Sequence, residues 1–196
     1  MKKIILKIYL VLSILLVSDS VLYYFWKISF AGYYSDVILF WLWILTSFAV
    51  IVLFWKKLLA KLLLGTLIVA LILSILPMML PFYTIFFAMT PFGSRIQKDL
   101  NKNYRAQIVG YSVMTRPWLE IIEKKGIFEQ QIIHSTDHDI FKNDGNLRVS
   151  VAKDIRFDSE ADNTLTLVLF YGGPNYKITF DKKTGKVKAI ENHQLY

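Results

Sequence analysis

Residues 37–55 read VILFWLWILTSFAVIVLFW, in which only Thr46 and Ser47 are not apolar and no residue is charged. Roughly 20 apolar residues in a helix cross the hydrocarbon core of a bilayer. A soluble helix of that length keeps a polar face for water, and this stretch has none to offer. Residues 8–26 and 62–80 flank it as apolar runs of the same length, the first interrupted by Ser18, Asp19 and Ser20. Inside lipid, each backbone N–H and C=O must be satisfied within its own segment, so all three stretches are expected as helices despite their β-branched residues. The fold class expected is therefore membrane α-helical, with three spans at 8–26, 37–55 and 62–80.

Lys2 and Lys3 precede the first apolar run, as in a secretory signal. The run is too long for one, and it ends in Tyr23, Tyr24, Phe25 and Trp26, where a signal peptidase needs small residues. It is expected to stay as an anchor. Aromatic residues gather at headgroup level, and Phe30, Tyr33 and Tyr34, with Phe82, Tyr83, Phe86 and Phe87, place a second part of the same belt at that interface.

Lysines retained on the cytoplasmic side set orientation. Lys2, Lys3 and Lys7 flank the first span, and Lys56, Lys57 and Lys61 fill the turn between the second and third. Both clusters are expected in the cytoplasm of a cell with an inner membrane, and three crossings then leave the remainder of the chain outside it. The net charge is +8, and most of the excess is topological: seven lysines oppose two aspartates before Thr90, and sixteen basic residues oppose thirteen acidic ones from there on. No concentrated basic face marks a nucleic-acid partner. Without cysteine, disulfides, thiolate metal sites and cysteine catalysis are excluded.

Pro77 and Pro81 interrupt the end of the third run, where proline removes a backbone donor and clashes with the preceding turn. Residues 81–90 are expected to lie at the interface, a tilted continuation of the span being the alternative. Residues 91–196 then form a small α+β, mostly antiparallel β, domain. Ser94 reads as an N-cap for a helix over about 94–103, with Ile96, Leu100 and Tyr104 at four-residue spacing. Leu147, Val149, Val151, Ile155 and Phe157 alternate with polar residues, as a half-buried strand requires. Residues 118–123 and 127–135, joined at Gly126, form a hairpin, while 164–171, 176–181 and 186–191 continue a β-meander through glycine-bearing turns. One helix and five to seven strands are expected. The KNDGN stretch at 142–146 reads as another turn.

Asp19 is the most informative polar residue in the spans. Seven residues before Trp26, it lies roughly 10 Å below the end of its helix, where an ionisable group is costly and often functional. Thr46, Ser47 and Ser74 fall at about 13–15 Å in the other spans, so a polar layer shared by three helices is expected. Such a layer fixes helix packing, or serves as a proton relay or docking point. Gly65 and Ala70 have the wrong spacing for a small-residue packing motif.

In the soluble part, His134, Asp137, His138 and Asp139 form the densest group of potential metal ligands. The spacing carries neither the zincin glutamate nor the EF-hand glycine, and the segment reads as a polar loop between strands. Ser112, Ser135 and Ser150 lack a nucleophile-elbow context, and His193 stands apart. Glu120 and Glu123, beside Lys124 and Lys125, read as a solvated hairpin surface. No cofactor motif is present. The function expected is a non-catalytic binding, sensing or assembly subunit, with Trp118 and Tyr171 as exposed contact points. Its partners are the lipid bilayer and other membrane or envelope proteins. Rival readings are an envelope hydrolase with a metal at the 134–139 loop, and a transport accessory or proton-coupled subunit using Asp19.

Overall fold

The computed structural model describes residues 2–32, 34–75, 80–112, 114–141 and 148–193. Among these residues, three helices are long and apolar enough to cross a membrane: α1 (Lys2–Trp26), α2 (Ser35–Leu53) and α3 (Leu58–Ile75). Their large apolar side chains face outward, the arrangement a hydrocarbon solvent requires. α1 and α2 are held together by Tyr9 stacked on Trp43 and by the Trp43 indole donating to Ser13 Oγ at 3.0 Å. α3 begins four residues earlier than the sequence suggests, directly after Lys56 and Lys57. Pro77 lies outside the described residues, as do Leu147 and the 142–146 turn. Pro81 sits in the first turn of α4 (Leu80–Ala88), where a missing N–H costs no intrahelical bond. The Trp41 indole donates to Met89 O at 3.0 Å, which brings the end of α4 back beside the first half of α2.

The remainder is two antiparallel sheets. β2 (Ser94–Asp99), β3 (Tyr104–Val109), β4 (Trp118–Lys125) and β5 (Phe128–Ser135) form one of them. Its fifth strand, β1 (Ile28–Phe30), comes from the loop between α1 and α2 and pairs with β5, Ser29 opposite Glu129. β6 (Asp154–Ala161), β7 (Thr164–Phe170), β8 (Asn175–Asp181) and β9 (Val187–His193) make the second sheet in sequence order. The sheets pack through fully buried Ala106, Ile108, Leu119, Ile121 and Ile133 on one side and Leu165, Leu167, Leu169, Ile178 and Phe180 on the other. Alternate residues of each strand supply this core, as the pleat dictates.

Four sequence expectations are corrected here. The helix over 94–103 is strand β2, because a spacing of four is also a multiple of two and so fits either period; Tyr104 already belongs to β3, after a turn in which Asn101 Oδ1 accepts from the Asn103 and Tyr104 amides. The strand expected from 147 starts only at Asp154, because Val149–Val151 is a 3-10 turn that buries Val149 and exposes Val151. Among the described residues, the domain has eight strands instead of five to seven, arranged as two sheets. The α-helix found in it among the described residues, α5 (Asp137–Ile140), lies inside the stretch read as a loop, where Thr136 and Asp139 form a capping box.

Two joints hold the domain against the helices. At Lys27 the backbone takes a left-handed φ of 57°, which ends α1 and turns the chain directly into β1. At Gly93, after α4, a Cβ would stand 2.3 Å from Phe87 O, so only glycine permits that approach.

Candidate functional site

β3 is buried along its whole length. Tyr104, Ala106 and Ile108 enter the core between the sheets, so Arg105, Gln107 and Val109 point the other way, toward the helices. The same face receives Trp118, Glu120 and Ile122 from β4 and Glu129 and Gln131 from β5, in the register that sets Gln107 opposite Glu120 and Arg105 opposite Ile122. A polar sheet face is thereby shut against the membrane end of the molecule. Arg105 and Glu129 form a buried ion pair at 2.5 Å. Gln107 Nε2 donates to Glu120 Oε2 at 2.7 Å, and Trp118 Nε1 donates to Glu120 Oε1 at 2.6 Å. The His134 imidazole lies 3.8 Å from that carboxylate, within reach of its charge. Burial by itself would raise the Glu120 carboxyl. His134, Trp118 and Gln107 together outweigh it and hold the group below its ordinary value.

Between this face and the helices lies a cavity of about 440 Å³. Asp19, Tyr23, Tyr24, Lys27 and Asp36 form its floor, and Arg105, Gln107, Glu120 and Glu129 line the sheet side. Behind that wall, closed off from the cavity itself, Arg105 Nε and Gln107 Oε1 have no hydrogen-bond partner, and Asp137 Oδ2 and Tyr171 Oη elsewhere in the domain are in the same state. Arg105 and Gln107 are more than nine-tenths buried, and such groups are normally satisfied. A wider groove of about 830 Å³ adjoins the cavity through Tyr23, Lys27, Tyr111, Glu120 and Gln131 and runs out past His134 to the β8–β9 turn at Thr184 and Gly185. The chain matches no family model, no curated protein and no solved structure.

Of the residues singled out in the sequence, Asp19 alone among the span candidates reaches the cavity. Its carboxylate accepts the Phe30 amide of β1 at 3.3 Å, so its partner is a strand of the domain instead of a hydroxyl on a neighbouring helix. The shared polar layer is not assembled: Ser47 donates to Trp43 O, Thr46 to Leu42 O and Trp43 O, and Ser74 to Leu71 O, each within its own helix. In the 134–139 stretch, His134 faces Glu120, while Asp139 accepts the Thr136 N–H and hydroxyl, bonds that lower its pKa. Asp137 accepts the Val149 amide at 2.7 Å, and His138 is exposed. Among the described residues no three potential ligands converge on a point where a metal ion could sit.

Glu120 is a second correction at this site, since it is 5% exposed where a solvated hairpin surface was expected. Trp118 and Tyr171, expected as exposed contact points, are half-buried, and Trp118 lines the groove. Trp118 packs on Tyr111 and His134, and Tyr171 sets its ring edge-on to Phe141 and Tyr176. Asp36, Arg105, Gln107, Glu129 and Gln131 were missed altogether. The signal available was alternation: Arg105 and Gln107 interleave with Ala106 and Ile108 as any half-solvated strand does, and nothing local says that the polar side meets protein.

Proposed function

We propose that the protein is a membrane-anchored, non-catalytic binding or assembly subunit of the cell envelope. Its β-domain stands outside the cytoplasm and holds a receptor cavity against the outer end of the helices. The observation that supports this is a cavity of about 440 Å³, within the size range of ligand sites, ~300–1,000 Å³, lined by charged and polar side chains from both the sheet face and the helix ends. The connectivity supports the orientation: both lysine clusters lie at the end of the helices away from β1 and the sheets.

The test is site-directed photocrosslinking in native membranes, with a reporter fused after residue 196. A photoreactive residue at Lys186, on the groove's rim, is expected to give discrete protein adducts, and one at Lys177, in the second sheet, none. Absence of discrete adducts from Lys186, or a reporter active only in the cytoplasm, removes the proposal.

A further inference from the structure

We propose that the edge of β5 over residues 131–135 takes up an extended, acidic segment of another envelope protein as an added antiparallel strand, in line with β1. This deepens the binding reading above and rests on it.

The ladder comes first. β1 covers only Phe128, Glu129 and Gln130 of the longer strand β5. Gln131 N still donates to Lys27 O, but the Lys27 amide donates back into α1, to Tyr23 O, so the Gln131 carbonyl receives no ladder bond in return. In an antiparallel strand, the N–H and C=O of one residue point to the same side, and that side alternates along the chain. Glu129 and Gln131, whose side chains face the helices, turn theirs toward β1. The bulge at Ile132 carries the pattern on to His134, opposite Glu120, and leaves inward-facing Ile133 and Ser135 to pair with β4. The His134 N–H and C=O therefore point outward, past the end of β1, and no backbone group among the described residues meets them.

The surroundings fit one extended chain. Residues 131–135 form one side of the 830 Å³ groove, a run of about 17 Å at the rise of a strand. Tyr23 and Lys27 wall it toward the membrane. The β8–β9 turn walls the other side, where Gly185 lies so near that a Cβ would stand 3.1 Å from Ile132 O. An unpaired edge in such a slot suits strand addition, in which main-chain bonds supply affinity and side-chain contacts supply specificity. Charge sets that specificity. The groove's carboxylates are already engaged, Glu120 by Trp118 and Gln107, and Asp139 by Thr136. Its exposed lysines, Lys27 and Lys186, form no ion pair among the described residues, and carboxylates on an incoming strand answer them.

Full-length protein in detergent micelles is titrated with a blocked peptide of alternating valine and glutamate, and amide exchange along β5 is read by NMR. Without peptide, the His134 amide is expected to exchange faster than those of Ile133 and Ser135. With it, His134 exchange should slow about tenfold or more. The same peptide with its backbone amides methylated, or with lysine for glutamate, should bind about tenfold or more weakly, the loss expected from two hydrogen bonds. His134→Pro deletes the outward donor, as an edge position tolerates, and should abolish pairing. His134→Val loses the imidazole alike but keeps the N–H, and should restore it. A His134 amide as slow as its neighbours, no protection by the peptide, equal binding of either control peptide, or equal loss in both variants overturns the inference. Protection that grows with protein concentration and needs no peptide assigns the edge to a second copy and overturns it too. If the peptide fails while Lys186 adducts persist in native membranes, strand addition alone is lost and the binding subunit stands. Peptide protection without those adducts removes the binding subunit, and the partner with it.

Discussion

At the scale of single residues, the polar sheet face is held by a few strong interactions placed where water is scarce. Removing one member of a buried ion pair leaves an uncompensated charge, which costs ~3–5 kcal/mol. Arg105→Met and Glu129→Leu are each expected to destabilise the domain by about that much in denaturant unfolding of the micellar protein. The double variant should recover most of the loss, since two apolar side chains need no partner; a double variant as unstable as the worse single one would show that the pair supplies more than charge compensation. Glu120 adds a pH dependence whose sign follows from its lowered pKa. The folded state holds this carboxylate below the ordinary 4.5, so its contribution is fully present above that value and is lost as pH falls through the folded value. Melting temperature measured from pH 6 down to 3 should drop more steeply for the native sequence than for Glu120→Gln. None of these roles was legible in the sequence, because a glutamate beside two lysines looks alike whether the sheet face above it meets solvent or another part of the chain.

At the scale of elements, β1 couples the two halves of the molecule. Three residues of an interhelical loop extend a sheet whose other strands begin more than sixty residues later, and Phe30 stacks on Phe128 at 5.9 Å across that join. The ladder continues on both sides of Ser29, with Gln131 N donating to Lys27 O and Ala31 N to Ile127 O. A proline removes a ladder donor and is excluded from such a position. Ser29→Pro is therefore expected to detach β1 and to speed hydrogen exchange of the β5 amides, with the β6–β9 sheet unaffected. Uniform exchange across both sheets would contradict the local role. Sequence periodicity did well for β4, β5, β7 and β8, whose runs of β-branched and aromatic residues sit between glycine-bearing turns. It failed at β2, where Ile96 and Leu100 satisfy the helical and strand periods together, and at β1, which is too short to show a period.

At the scale of the whole molecule, the β-domain is not independent of its anchor. A fragment starting at residue 91 lacks β1 and also lacks the α1 and α2 surface that covers Arg105, Gln107 and Glu129, so it exposes a strand edge and a charged face that the full chain closes. Such a fragment is expected to melt below the domain within the full-length protein and to self-associate through β5, checked by differential scanning fluorimetry and sedimentation; a fragment as stable and monomeric as the parent would refute this dependence. The sequence by itself determined the three apolar helices, because lipid demands long uncharged runs that can be counted. It also determined that an antiparallel β-domain follows, because alternation and turn chemistry are local. The tertiary structure alone decided that Asp19 meets a strand instead of a hydroxyl layer, that a loop becomes the fifth strand of a sheet, and that the polar side of that sheet closes over a cavity at the membrane end. Each of these depends on which surfaces the folded chain brings together, and a half-buried strand carries the same pattern whether its polar face looks at water or at another helix.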